Sequence, residues 1–282
     1  MNVVHAIVLG IVQGLTEFLP ISSSGHLIIV PWALGWNFFI EHPDLNKTFD
    51  VALHTGTFIA VLAYFWRDVL ALIRDFVRSL LRRRILTQGE KLAWLLVIST
   101  IPAGIIGVAL ESFIEDQLGK PWLIALLVIV FAAIMWFIDS TAPLQREMRD
   151  LRWSDALLIG VAQALALAPG VSRSGITIVT GRALRLEREA AARYSFLLTI
   201  PVIGGAALYK GLKVAKDGLP AGMAEPFAVG TIVAAVSGFV AVWFLLGYLR
   251  RHDLKLFVFY RFALGAAILL TIGLGARSAT GL

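Results

Sequence analysis

Cysteine is absent from this 282-residue chain, and charged residues make up only 16% of it. The absence of cysteine excludes disulfides and thiolate metal sites. Soluble domains are usually about 25% charged, so the scarcity of charge, together with a hydrophobic share of 58%, excludes an ordinary soluble fold. No run of alternating barrel strands stands out, and the composition therefore predicts an all-α polytopic membrane protein.

The net charge of +6 suggests nucleic-acid binding as an alternative. The arginines, however, cluster in the connections between apolar runs, which is typical of the cytoplasmic loops of membrane proteins. The first residues, Met-Asn-Val-Val-His, lack the positive start of a signal peptide, so we expect the first apolar run to be retained.

Six apolar runs are predicted to cross the bilayer. They are Thr48–Trp66, Leu92–Leu110, Pro121–Ile138, Tyr194–Leu212, Phe227–Leu249 and Leu256–Gly275. Between the first two, Arg67–Lys91 combines seven basic residues with a helical apolar stripe, which predicts an interfacial helix on the cytoplasmic side. The arginine-rich connections place both termini outside; the connection Lys210–Glu225, with three lysines, argues against this orientation.

Two further apolar stretches are each broken by a polar turn. Residues 3–19 and 26–39 flank Pro20–Gly25, and residues 154–168 and 176–184 flank Pro169–Gly175. Each arm is shorter than the roughly 20 residues that a span needs. Non-helical backbone at membrane depth is tolerated where it is buried or lines a cavity. We therefore predict two re-entrant helix–loop–helix pairs, with ordinary short spans as the alternative.

The two broken stretches are copies of each other at an offset of 150 residues. Ten positions are identical over 29 without gaps, among them Gln13 with Gln163 and Ser22-x-Ser-Gly with Ser172-x-Ser-Gly. Each half has one re-entrant pair and three spans, so the halves must be inverted. We predict one membrane domain, 1–282, built from a first repeat, 1–140, and a second, inverted repeat, 154–282. Inverted repeats with discontinuous helices place a site near the midplane, so the two tips are expected to lie opposite each other.

The two copies differ at three positions where the side chains could take part in chemistry. Glu17 corresponds to Leu167, Ser23 to Arg173, and His26 to Ile176. A buried Glu or Arg costs about 2.5–3.5 kcal/mol or more at mid-membrane unless it is paired or hydrated. Facing tips would bring the carboxylate and the guanidinium into one pocket, which suits a phosphate.

Several roles follow within that pocket. Ser23 is a candidate nucleophile or phosphate donor, and either Glu17 or His26 could take its proton. Gln13 and Glu17 offer oxygen ligands for Mg²⁺ or Ca²⁺, completed by substrate phosphates. The remaining predicted phosphate contacts come from the two tips, with helix caps as the alternative role for the serines; they are Ser22, Ser24, Gly25, Ser172, Ser174 and Gly175. Asp50 and His54 are interpreted as surface polarity at the end of a span rather than as lining of the pocket.

At these residues the sequence resembles the undecaprenyl-diphosphate phosphatase family, the bacitracin-resistance membrane phosphatases of bacteria. The motifs that carry the likeness are Gln13-Gly-Leu-Thr-Glu17-Phe-Leu-Pro-Ile-Ser-Ser-Ser-Gly-His26 and Pro169-Gly-Val-Ser-Arg173-Ser-Gly. The resemblance implies removal of the terminal phosphate from a C55 polyprenyl diphosphate. It also implies Glu17 as the essential acid, Ser23 as the nucleophile, His26 as the acid–base residue, Arg173 as the phosphate-binding arginine, and a divalent cation.

The likeness further implies a bacterial plasma membrane protein whose site faces the periplasm or the cell exterior, with a homodimer as a candidate assembly. The family pattern allows Glu or Gln at its first position, and this chain has Gln13. A polyprenyl-phosphate transporter or flippase is the competing function, because inverted repeats and discontinuous helices are typical of transporters. Phosphatases of the type 2 phosphatidic acid class are disfavoured, since their later motif needs a histidine where this chain has Val179.

Overall fold

The computed structural model describes residues 1–36, 38, 42–217 and 222–280, with the side chains of residues 43, 44, 110–116 and 206–217 outside the description. Throughout the described part of the chain the regular structure is helical. In chain order the helices are α1 (Val3–Phe18), α2 (Ser23–Leu34), α3 (Pro43–Tyr64), α4 (Trp66–Arg82), α5 (Gln88–Gln117), α6 (Pro121–Thr141), α7 (Trp153–Ala164), α8 (Arg173–Ala183), α9 (Arg188–Asp217), α10 (Ala224–Leu249) and α11 (Lys255–Gly273).

Four helices are individually long and apolar enough to cross a membrane. They cover Gln88–Ala109, Pro121–Thr141, Ala224–Leu249 and Lys255–Gly273, and confirm four of the six predicted spans. Large apolar side chains face outward on them, including Val108, Phe137 and Leu270 at 83%, 68% and 64% exposure. Because lipid is as apolar as a protein core, such outward faces are what a bilayer requires. The chain is a multi-pass membrane protein.

The other two predicted spans are not confirmed individually. Thr48–Trp66 lies in α3, which passes the same test only together with α4, and the two helices meet at 84°. Tyr194–Leu212 lies in α9, but its residues after 205 lie outside those whose side chains are described, so this span stays a prediction. The predicted interfacial segment does form the amphipathic helix α4, with Leu70, Ile73 and Leu81 exposed.

The two broken stretches fold as the sequence predicts, as pairs of short helices. Leu19 and Ala168 both adopt extended backbone just before a proline, because a following proline disfavours the helical conformation. The residue just before each next helix is a serine of positive φ, Ser22 at 79° and Ser172 at 76°. These serines accept hydrogen bonds from the N–H groups of the glycines three residues on, at 3.3 and 3.0 Å, and so cap α2 and α8.

Matched glycines let the two copies pack closely against opposite halves. A Cβ at Gly10 would lie 2.8 Å from the Gly230 carbonyl oxygen on α10, and one at Gly160 would lie 2.6 Å from the Ser99 carbonyl oxygen on α5. Both distances are too short for a real side chain, so only glycine allows α1 to approach α10 and α7 to approach α5 this closely. The first helix of each repeat thus packs against a helix of the other repeat. This accords with the predicted repeats, whose inverted relation stays a prediction.

Candidate active site

The two turns meet in the interior, as the repeat predicts. The backbone N–H of Gly170 donates to Ser22 Oγ at 3.0 Å, and Ser174 Oγ donates to the Leu19 carbonyl oxygen at 3.1 Å. These bonds join residues 148 and 155 positions apart. The first broken stretch, whose α1 carries Glu17, and the second, whose turn carries Arg173, therefore form one polar cluster inside an apolar protein.

Glu17 is the centre of this cluster. Its Oε1 lies 2.9 Å from Arg173 Nη2, and its Oε2 accepts hydrogen bonds from Ser23 Oγ at 2.5 Å and from Gln13 Nε2 at 3.1 Å. The Glu17 side chain is only 5% exposed and that of Arg173 14%. A buried carboxylate is stable only when paired and hydrogen-bonded, and the fold supplies both kinds of partner.

Arg173 also reaches a residue that the sequence reasoning missed. Its Nη1 donates to Thr199 Oγ1 on α9, and the Thr199 hydroxyl donates in turn to the Ser195 carbonyl oxygen at 3.1 Å. The guanidinium is thus held at both ends, by a carboxylate and by a hydroxyl. Nothing in the sequence around Thr199 marks it as part of a site.

Among the predicted tip serines, Ser23 stands apart. It is half-buried at the first position of α2 and is the one whose hydroxyl donates to Glu17. Ser22, Ser172 and Ser174 use their hydroxyl oxygens to cap helices or to join the turns, while Ser24 lies 3.5 Å from Ser22. Their predicted contacts with phosphate stay predictions.

The hydrogen bonds of His26 go to partners other than Ser23 and Glu17. Its Nδ1 lies 2.6 Å from the Ser22 carbonyl oxygen and its Nε2 lies 2.7 Å from the Tyr260 hydroxyl. Both ring nitrogens therefore have partners. Of the two bases that the sequence left open for Ser23, the structure places Glu17 against the hydroxyl.

His54 is closer to the centre than its sequence interpretation allowed. Its Nε2 lies 3.7 Å from Glu17 Oε2, and its Nδ1 donates to the Asp50 carbonyl oxygen at 2.7 Å. Interpreting His54 as surface polarity at a span end was wrong, because α3 packs beside α1 and turns this face toward Glu17. Its side chain is 36% exposed, so it forms the edge of the cluster that is open to water.

The donor set for a divalent cation is small but chemically suitable. Gln13 Oε1 is buried and has no hydrogen-bond partner, and it lies on the residue that contacts Glu17. Amide and carboxylate oxygens are ligands of Mg²⁺ and Ca²⁺. No group of three or more His, Cys, Asp or Glu side chains suited to a metal occurs among the described residues.

The fold and the cluster define a class, an integral membrane protein whose two broken helices jointly bury a carboxylate, a serine hydroxyl and an arginine. The family described as bacitracin resistance protein BacA matches residues 6–267, and the chain belongs to this family. Relatives named undecaprenyl-diphosphatase match nearly full length. One from Desulforudis audaxviator is 46% identical over 95% of this chain and 97% of its own. One from Geobacter sulfurreducens is 47% identical over 95% and 98%, and one from Trichlorobacter lovleyi is 44% identical over 99% and 100%.

Proposed function

We propose that this protein hydrolyses undecaprenyl diphosphate to undecaprenyl phosphate and inorganic phosphate, and so returns the lipid carrier to cell-wall synthesis. The observation that carries the proposal is the 2.5 Å contact between Ser23 Oγ and Glu17 Oε2 beside the Arg173 guanidinium. A nucleophile, its base and a bidentate phosphate ligand lie together. The name shared by the relatives supplies the substrate.

In the proposed reaction Glu17 takes the Ser23 proton as Oγ attacks the terminal phosphorus. The bond between that phosphorus and the bridging oxygen breaks, and undecaprenyl phosphate leaves with the electron pair. Glu17 passes its proton on to the departing phosphate or to solvent. It then takes a proton from the water that attacks the phosphorus of the phosphoserine. The bond between that phosphorus and Ser23 Oγ breaks, inorganic phosphate leaves, and Glu17 returns the proton to Oγ. Arg173 draws the substrate phosphate in, because planar guanidinium donors match phosphate oxygens.

A divalent cation, Mg²⁺ or Ca²⁺, belongs to the proposal. Gln13 Oε1 and Glu17 would hold it with the two substrate phosphates, and when bound it would neutralise charge on the phosphate oxygens. Gln13 Oε1 and Gln163 Oε1 are both buried without a hydrogen-bond partner. Gln13 also contacts the Glu17 carboxylate, whereas Gln163 contacts a backbone carbonyl, and this difference supports the assignment to Gln13.

The finer placement in the cell is also proposed. The arginine-rich connections support a bacterial plasma membrane protein whose site opens to the periplasm or exterior. The partly exposed edge of the cluster at His54 is the expected opening. A homodimer stays a candidate assembly.

Phosphate release by the purified protein, with Mg²⁺ or Ca²⁺ and a polyprenyl diphosphate, tests the function. We expect release by the wild type and none by Ser23→Ala, since the proposed covalent route runs through the Ser23 hydroxyl. A matched control is Ser140→Ala, which removes an exposed hydroxyl bonded only to its own helix and should leave the rate unchanged.

One result would contradict the covalent mechanism, and another would contradict the hydrolytic function itself. About a tenth of the activity remaining in Ser23→Ala would favour direct attack by water. No release by well-folded wild-type protein would favour the lipid transporter.

A further inference from the structure

Arg261 is fully buried in α11, yet each hydrogen bond recorded for it ends on a backbone carbonyl. A buried guanidinium is costly in an apolar interior. Its place in the fold therefore calls for a reason beyond packing.

The carbonyls that Arg261 contacts belong mainly to the two turns of the site. Nη1 lies 3.2 Å from the Pro20 oxygen, in the turn before Ser23. Nη2 lies 2.6 Å from the Gly170 oxygen, and both terminal nitrogens lie 3.3 Å from the Val171 oxygen, in the turn before Arg173. Carbonyls at helix ends lack partners within the helix, and charge-assisted bonds to them are strong. One side chain of a third helix thus ties both turns together.

Tyr260, the preceding residue, contacts the first turn in a second way. Its hydroxyl lies 2.7 Å from His26 Nε2, and the two rings stack with an interplanar angle of 16°. Because the Ser22 carbonyl can only accept, His26 Nδ1 carries a proton, and in the neutral ring Nε2 accepts from Tyr260. His26 therefore links the first turn to α11 through its two ring nitrogens.

We propose that Tyr260 and Arg261 are positioning residues, which set the separation and orientation of Ser23 and Arg173. The inference rests on the proposed phosphatase function. Neither side chain contacts Ser23, Glu17 or Arg173 in the recorded hydrogen bonds; they act through the turns that carry them. Misplacing reacting groups by about 1 Å can cost about 10²-fold in rate. Loss of the Tyr260 or the Arg261 contacts therefore lowers kcat more than it weakens substrate binding.

The chain offers a matched control for Arg261. Arg182 on α8 is also fully buried, and its guanidinium bonds to Asp139 and to the Ala142, Pro143 and Leu186 carbonyls, in none of the site turns. Asp139 keeps Arg188 as a partner when Arg182 is removed. Arg182→Met therefore measures what losing a buried arginine does to stability alone.

The experiment compares kcat and KM for a polyprenyl diphosphate, per folded protein, in Tyr260→Phe, Arg261→Lys, Arg261→Met and Arg182→Met. We expect kcat to fall by about 10- to 100-fold in both Arg261 variants, with KM changed by less than about threefold. Lysine should not rescue, because a single ammonium nitrogen cannot reproduce the two guanidinium nitrogens that together contact the Pro20, Gly170 and Val171 oxygens. Tyr260→Phe should lose about 10-fold in kcat, and Arg182→Met should lower the melting temperature while folded molecules keep wild-type kcat.

Each alternative has its own outcome. If Arg261 serves only as a positive charge for the substrate, Arg261→Lys keeps wild-type kcat and Arg261→Met raises KM, which overturns the inference. If its role is stability alone, Arg261→Met behaves like Arg182→Met, which also overturns it. Should Arg261→Met fail to fold, Tyr260→Phe and Arg261→Lys decide, and wild-type kcat in both is the overturning result. Inactive but folded wild-type protein instead contradicts the proposed function.

Discussion

The turns that precede Ser23 and Arg173 have the same backbone conformation but carry different side-chain chemistry. In both, extended backbone before a proline leads to a serine of positive φ that caps the next helix. The first turn then carries a hydroxyl beside a carboxylate, and the second carries a guanidinium. Neither charge could be buried alone at acceptable cost. The comparison shows how a repeated frame can remain intact while its two copies diverge into complementary halves of one site.

Removing Glu17, the acid on α1 beside the first turn, should have the largest effect. Glu17→Gln keeps the shape but removes the base for Ser23 and the charge opposite Arg173. We expect kcat to fall about 10³-fold, within the range for loss of a general base, as measured by phosphate release.

The matched control is Glu189→Gln, which breaks an exposed pair with Arg250. Such pairs contribute about 0–1 kcal/mol, so activity should be unchanged. A Glu17→Gln protein with more than a tenth of wild-type activity would remove Glu17 from the role of base.

Changing the arginine of the second turn should have the next largest effect. Arg173→Lys keeps the charge, but a single ammonium cannot hold Glu17 and Thr199 while also presenting paired donors to phosphate. We expect kcat/KM to fall about 10²-fold, comparable to loss of an oxyanion ligand. Arg250→Lys, at the exposed pair, serves as control; equal activity of the two variants would contradict bidentate phosphate binding.

The matched glutamines give the smallest and most direct comparison of the halves. Gln13 contacts Glu17 at 3.1 Å, whereas its counterpart Gln163 contacts the Ser99 carbonyl oxygen at 3.4 Å. We expect Gln13→Ala to lose about 10-fold in activity and to need more Mg²⁺ or Ca²⁺ for half-maximal rate. Gln163→Ala should change neither. A shared response of both variants to cation concentration would show that Gln13 is not a ligand.

The sequence by itself determined the broken helices and the pairing of the two turns. Pro20 and Pro169 interrupt apolar runs too short to span a bilayer, and the repeated Ser-x-Ser-Gly marks the two breaks as copies. A lone Glu17 in one copy and a lone Arg173 in the other require each other electrostatically, wherever the remaining helices lie. Local backbone rules and the cost of buried charge therefore sufficed.

Only the tertiary structure decided which other side chains join the site. Thr199, His54 and Tyr260 lie on helices whose local sequence contains no motif. The sequence also left either His26 or Glu17 as the base for Ser23. Arg261 was detectable as an arginine inside an apolar run, but the residues around it in the sequence do not predict which carbonyls it contacts. Partners of this kind depend on how separate helices rotate and cross when they pack, and that is fixed by the whole interior at once rather than by any one segment.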